Sequence, residues 1–243
     1  MSAAEACAIL GLAAAASFIG TISGFGFALL IVPPLSFVVG PKEAVVLSNV
    51  LGASWLMTMF VRLHKHVDWR TAIPLGIAAF AGMPFGLLLL EAVSGRTLQI
   101  ILGVNVLFAT VVLWRGVRLP LEGRLVDAAT GFLSGVLNTS TSMNGPPVVL
   151  HLQNRGLAPV PFRATLSAFF VSSSLLTLAL YAVGGQLDGF ALAAAAVGLP
   201  GLAVGYLAGD AVSRRLDAAQ FRGVVVGVLI LSATLILARS VFG

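Results

Sequence analysis

Apolar residues in this chain come in long blocks. They show neither the alternation of a half-buried strand nor the single stripe of a surface helix. The blocks cover 5–22, 25–40, 44–63, 71–91, 97–114, 125–143, 146–154, 164–183, 188–209 and 221–238. Most approach the roughly 20 residues with which a helix crosses about 30 Å of hydrocarbon. Charged residues gather between them, in clusters at 62–70, 115–127 and 210–222. The pattern predicts an all-α, polytopic membrane protein, with lipid as its first partner.

The two halves repeat one another. Glu91-Ala-Val-Ser94 matches Asp210-Ala-Val-Ser213, and Gly82-x-x-x-Gly86 matches Gly201-x-x-x-Gly205, both at an offset of 119. Leu47-Ser48 and Leu166-Ser167 share that offset. Gly20-x-x-x-Gly24 pairs with Gly131-x-x-x-Gly135, and Pro33-Pro34 with Pro146-Pro147, at offsets of 111 and 113. We expect two transmembrane repeats, 1–119 and 120–243, within one membrane domain. The Gly-x-x-x-Gly pairs predict close helix packing inside the molecule. They say nothing of dimerisation, and a homo-oligomer stays open.

Basic residues set the topology. Regions 5–40 and 124–156 are each broken by glycine, proline and small polar residues. If each crossed once, the 14 Lys and Arg residues would divide seven to seven, against the positive-inside rule. If each returns to its side of entry, eleven fall on one side: Arg62, Lys65, Arg70, Arg115, Arg118, Arg124, Arg155, Arg163, Arg214, Arg215 and Arg222. Only Lys42, Arg96 and Arg239 fall on the other. This parity predicts a multi-pass protein of a bacterial-type cell membrane with both termini outside the cytoplasm. It makes the repeats inverted, each opening with a broken or hairpin helix followed by three transmembrane helices. The 146–155 arm, about 15 Å long at 1.5 Å per residue, favours a hairpin over two full crossings.

Composition narrows the function. Only 9% of the chain is Asp, Glu, Lys or Arg, against about 25% in a soluble domain. The net charge of +5 would suggest nucleic acid in a soluble protein, but here the basic residues flank spans and anchor them. The single cysteine, Cys7, rules out an internal disulfide and reads as a small core residue. The N-terminus lacks a basic n-region and carries Glu5, so it reads as a retained first helix. Three histidines, two of them in the basic turn His64-Lys65-His66 beside Trp69, and no clustered carboxylates give no enzyme, metal or cofactor site.

The candidate chemistry lies at the two breaks. The second reads Gly135-Val-Leu-Asn138-Thr139-Ser140-Thr141-Ser142-Met143-Asn144-Gly145-Pro146-Pro147. Non-helical backbone at membrane depth survives only inside protein or along a cavity. Asn144 suits an N-cap, and the prolines suit a first helical turn. A half-helix starting there turns free N–H groups and a positive dipole end inward, which suits an anion. The first break, Thr21 to Phe27, is the counterpart, with Ser23 as a cap. The predicted anion site comprises Ser23, Gly24, Phe25, Gly26, Asn49, Asn138, Thr139, Ser140, Asn144, Gly145 and His151. The alternative is that these groups only cap and join helices. Ser48, Ser167 and Ser172 to Ser174 are further candidates for the same cavity. His151 shares a face with Asn144; it suits an anion, a proton or the headgroup level. No carboxylate sits firmly at mid-membrane to act as a proton relay.

At these breaks the sequence resembles the TauE/SafE, or sulfite exporter, family. The residues are Gly20-x-x-Ser23-Gly-Phe-Gly-Phe27 with Pro33-Pro34, then Ser134-Gly135 and Asn144-Gly-Pro-Pro-Val-Val149. The Asn-Gly-Pro-Pro element is the most specific. The resemblance covers nearly the whole chain and implies a secondary transporter of a small organosulfur anion, a sulfonate or sulfite. An anion channel, or a transporter of small carboxylates, is the alternative. His151 departs from the aromatic or aliphatic residue that relatives often carry there.

Overall fold

The computed structural model describes residues 1–23, 26–115 and 123–213. The expected last span, 221–238, lies outside them, as do Gly24, Phe25, Arg118 and the basic residues beyond Ser213. The described residues are all-helical, with no strand. In order they form α1 (Ala3–Ser23), α2 (Phe27–Val38), α3 (Pro41–Leu63), a 3₁₀ turn (His64–His66), α4 (Trp69–Ala92) and α5 (Gly95–Arg115). Then follow α6 (Arg124–Thr141), α7 (Gly145–Asn154), α8 (Pro159–Val183) and α9 (Gly189–Ser213).

α1, α3, α4, α8 and α9 are long and apolar enough to cross a membrane. Burial follows the same logic. Ile77, Phe85, Leu88, Val204 and Leu207 lie exposed, while Asn49, Asn138, Ser134 and Thr177 are buried. A water-soluble surface reverses that distribution; lipid permits it. Cys7 is exposed, so it is not the core residue its small size suggested. His64, Lys65 and His66 are exposed beside the half-exposed Trp69, as an interfacial turn requires.

Glycine draws the helices together. On α4, Gly82 and Gly86 sit against the carbonyls of Phe132 and Val136, and Gly131 and Gly135 of α6 sit against those of Leu75 and Ala79. On α9, Gly201, Gly205 and Gly209 sit against the carbonyls of Leu10, Ala14 and Phe18. None of these seven positions has room for a Cβ, so the Gly-x-x-x-Gly pairs serve packing within the molecule. The rising numbers also give direction: α1 runs parallel to α9, and α4 parallel to α6.

Other contacts extend the pattern. Leu51 meets Gly198, and Arg62 bonds Asp210, so α3 is also parallel to α9. Thr165 accepts from the Asp68 N–H, and Gly184 meets Leu87, so α8 is parallel to α4. Thus α1, α3 and α9 run one way and α4, α6 and α8 the other. α1 being parallel to α3, α2 turns back between them; likewise α7 turns back between α6 and α8. The ends of α3 and α7 and the starts of α4, α6 and α8 gather Arg62, Lys65, Arg70, Arg124, Arg155 and Arg163. The opposite end holds Lys42 and Arg96.

Candidate functional site

The two short helices position the site. α2 has 12 residues and α7 has 10, about 18 and 15 Å, each roughly half a membrane crossing. α1 is helical through Ser23, so Ser23 does not cap α2; its side chain lies outside the description. Gly26 takes the N-cap instead, at φ 89°, a left-handed conformation that glycine adopts without strain. No side chain caps α2, which leaves the N–H groups of Phe27, Ala28 and Leu29 without helical acceptors.

The second break is more elaborate. α6 ends at Thr141, and Ser142 turns the chain in the left-handed region, at φ 62°, which is uncommon for a non-glycine residue. Its N–H returns to Asn138 O at 2.9 Å. Side chains donate to carbonyls around the break. Asn138 O also accepts from Asn49 Nδ2 at 3.3 Å, Thr139 O from the buried Tyr181 hydroxyl, and Asn144 O from Ser134 Oγ at 2.9 Å. Asn144 stands at the N-cap of α7 as expected, but its side chain does not cap: Nδ2 donates to Ser173 Oγ at 3.3 Å. Pro146 and Pro147 have no N–H, so this end offers fewer donors than the start of α2. Gly145 suits a position ahead of proline, where bulkier residues avoid helical geometry.

Both helix starts open onto one small cavity of ≈ 50 Å³. Gly26 to Leu29 line one side and Ser142 to Gly145 the other; Ser48, Asn49, Gly52, Trp55 and Leu56 of α3 supply a wall, with Asn138, Phe170 and Ser174. Among the described residues, no charged side chain lines it. Asn49 Nδ2 also lies 3.3 Å from Val45 O and 3.4 Å from the Tyr181 hydroxyl, while its Oδ1 is buried with no partner among the described residues. Asn138 Nδ2 donates to Thr177 Oγ1 at 2.9 Å. Ser48 Oγ donates to Ser142 Oγ at 2.9 Å and joins α3 to the break.

Of the predicted site, Gly26, Asn49, Asn138, Asn144 and Gly145 line the cavity. Thr139 and Ser140 do not; their hydroxyls bond back to Gly135 O and Val136 O one turn earlier. His151 sits at the far end of α7, its Nε2 3.0 Å from Asp127 Oδ1. Gly24 and Phe25 lie outside the described residues. The three consecutive serines diverge: Ser174 lines the cavity, Ser173 holds Asn144, and Ser172 faces an apolar groove between α4 and α8. Ser167 bonds back to Ala164 O.

Sequence reasoning passed over Trp55. Its ring stacks on Phe27 at 5.6 Å, and Nε1 donates to Thr21 Oγ1 at 2.9 Å. The signal was present: Ser48, Asn49, Gly52 and Trp55 recur at helical spacing on one face.

A cavity between two half-helix ends, inside a bundle clothed in apolar side chains, is an arrangement found in membrane transport proteins. The chain belongs to the sulfite exporter TauE/SafE family, which it matches over residues 9–236. Membership implies a membrane transporter of sulfite or related sulfur anions. No curated protein and no solved structure is similar enough to match it.

Proposed function

We propose that this protein is a secondary transporter that carries a small organosulfur anion by alternating access, binding it between the N-terminal ends of α2 and α7. One observation carries the reading: two half-helices, from opposite parts of the chain, turn their N-termini onto the same cavity. Helix starts attract anions through unpaired N–H groups and the dipole. Asn49 and Asn138 supply polar contacts beside them, and Trp55, Phe27 and Phe170 exclude water.

Size and charge favour a compact ligand. By the same measure a single water needs roughly 10–15 Å³, so ≈ 50 Å³ suits a few water-sized groups. Sulfite fits that class better than a long-chain sulfonate. With no cation among the described lining residues, a monoanion is favoured over a dianion, which costs far more to dehydrate. The unpartnered Asn49 Oδ1 suits an anion that carries one proton.

The halves 1–119 and 120–243 act as inverted repeats in this reading. α1 and α6, which open them, run in opposite directions. The packing of α1 on α9 is mirrored by that of α6 on α4, and that of α3 on α9 by that of α8 on α4. Rocking one set against the other exposes the cavity alternately. The Arg-rich end lies toward the cytoplasm of the cell membrane, and the N-terminus outside.

The test is counterflow in proteoliposomes. Vesicles preloaded with unlabelled sulfite should transiently concentrate labelled sulfite when the protein is present. A channel would equilibrate label without overshoot; no flux of sulfite or any short sulfonate would sink the reading.

A further inference from the structure

A charged cluster lies outside the cavity, at the other end of α7. Asp127, in the first turn of α6, is buried among helices. Both its carboxylate oxygens accept from Arg155 Nη2, at 2.6 and 2.7 Å. His151, only 4% exposed, brings Nε2 to 3.0 Å from Oδ1 but without the alignment of a hydrogen bond. Asp127 and Arg155 are the charged groups acting on the ring. Arg124 and Arg163, on the neighbouring starts of α6 and α8, are exposed; Arg96 is at the far end of α5.

We propose that Asp127, His151 and Arg155 form a proton-binding site that couples anion transport to a proton gradient. The inference rests on the transport reading above. With His151 neutral the cluster sums to zero; with His151 protonated it carries one positive charge, the complement of a monoanion. A positive charge on the ring strengthens its attraction to the Asp127 carboxylate 3.0 Å away and ties the end of α7 to α6. With the ring neutral that attraction is lost, and the hold on α7 weakens. α7 is one rigid segment of 10 residues whose other end lines the cavity. The proton at one end and the anion at the other therefore act on the same moving part. The carboxylate of this cluster lies in the first turn of α6, at the Arg-rich end, where the returning arm folds back on it.

The experiment compares wild type with His151→Gln in proteoliposomes, using labelled sulfite. Glutamine keeps a donor for Asp127 but does not titrate. Counterflow measures anion exchange; accumulation driven by an imposed pH gradient measures coupling. Wild type should show both, and His151→Gln should keep counterflow while losing gradient-driven accumulation. Sulfite's own protonation is common to both proteins and cancels in the comparison. Undiminished gradient-driven accumulation in the variant overturns the proposal. Loss of counterflow together with accumulation also overturns it, since that marks a structural role. Wild-type counterflow that ignores the gradient overturns coupling and leaves transport standing. Absence of wild-type counterflow removes the transport reading, and this inference with it.

Discussion

Gly135→Ala places one methyl group where α6 meets α4. Its Cβ would lie 2.7 Å from the Ala79 carbonyl carbon, 2.9 Å from Ala79 Cα, and closer still to the carbonyl oxygen. These are backbone atoms on a second helix, so no side-chain rotation relieves them. Carbon atoms rest about 3.5 Å apart, so the helices must part by at least ~0.8 Å here. Gly82, Gly86 and Gly131 share the interface and lose contact together. Overpacking of this kind costs about 1–3 kcal/mol. For a chain of this size each kcal/mol moves the unfolding midpoint by about 2–4 °C, so a fall of roughly 2–12 °C is expected. Gly76 on the same α4 is the control, because a Cβ there meets nothing within 4 Å. Gly76→Ala should leave the midpoint unchanged or raise it, since alanine favours a helix by about 0.5–1 kcal/mol. Thermal unfolding in detergent, followed by tryptophan fluorescence, reads both. Equal midpoints for the two variants would refute the close α4–α6 contact.

Two ion pairs should differ in weight. Arg62 and Asp210, 3.4 Å apart with Arg62 53% exposed, contribute at most about 1 kcal/mol, and Arg62→Ala should barely move the midpoint. Arg155→Ala removes both charge-assisted bonds to a buried carboxylate and should cost about 1.5–3 kcal/mol by the same assay. Trp55→Phe loses the bond to Thr21 and leaves space beside the cavity, at about 1–3 kcal/mol. The wider cavity should make sulfonates better competitors against sulfite uptake; an unchanged ratio would take Trp55 out of the site.

Much of the helix layout was legible because lipid imposes a simple rule: apolar blocks of membrane length, broken where the chain must turn. The Asn144-Gly-Pro-Pro element located the second break, because Pro146 and Pro147 suit the first turn of α7, whereas Pro33 and Pro34 lie inside α2. The paired glycines gave the packing surfaces, though not which helix would meet which. Side-chain direction was harder. Thr139 and Ser140 stand beside Asn138 in sequence, yet successive residues on a helix diverge by about 100°, and their hydroxyls found carbonyls of their own turn. Ser23 looked like a cap because α1 was expected to end sooner; glycine at a positive φ took that position. The Asp127 cluster joins residues 28 apart across a fold-back, and nothing local announces such a meeting.

Gly52→Val tests the central claim most directly. Gly52 lines the cavity, and a Cβ there would meet only the Phe27 ring, at an ordinary 3.5 Å. The substitution should fill the cavity without strain and leave the ligand-free protein at least as stable as wild type. The measurement is the unfolding midpoint of both proteins with and without excess sulfite. At a hundredfold excess over the dissociation constant, binding stabilises the folded state by about 2.7 kcal/mol. The wild type should gain that stabilisation and Gly52→Val should gain none. Equal stabilisation of both would place the anion elsewhere, and no stabilisation of the wild type would contradict a sulfite site between α2 and α7.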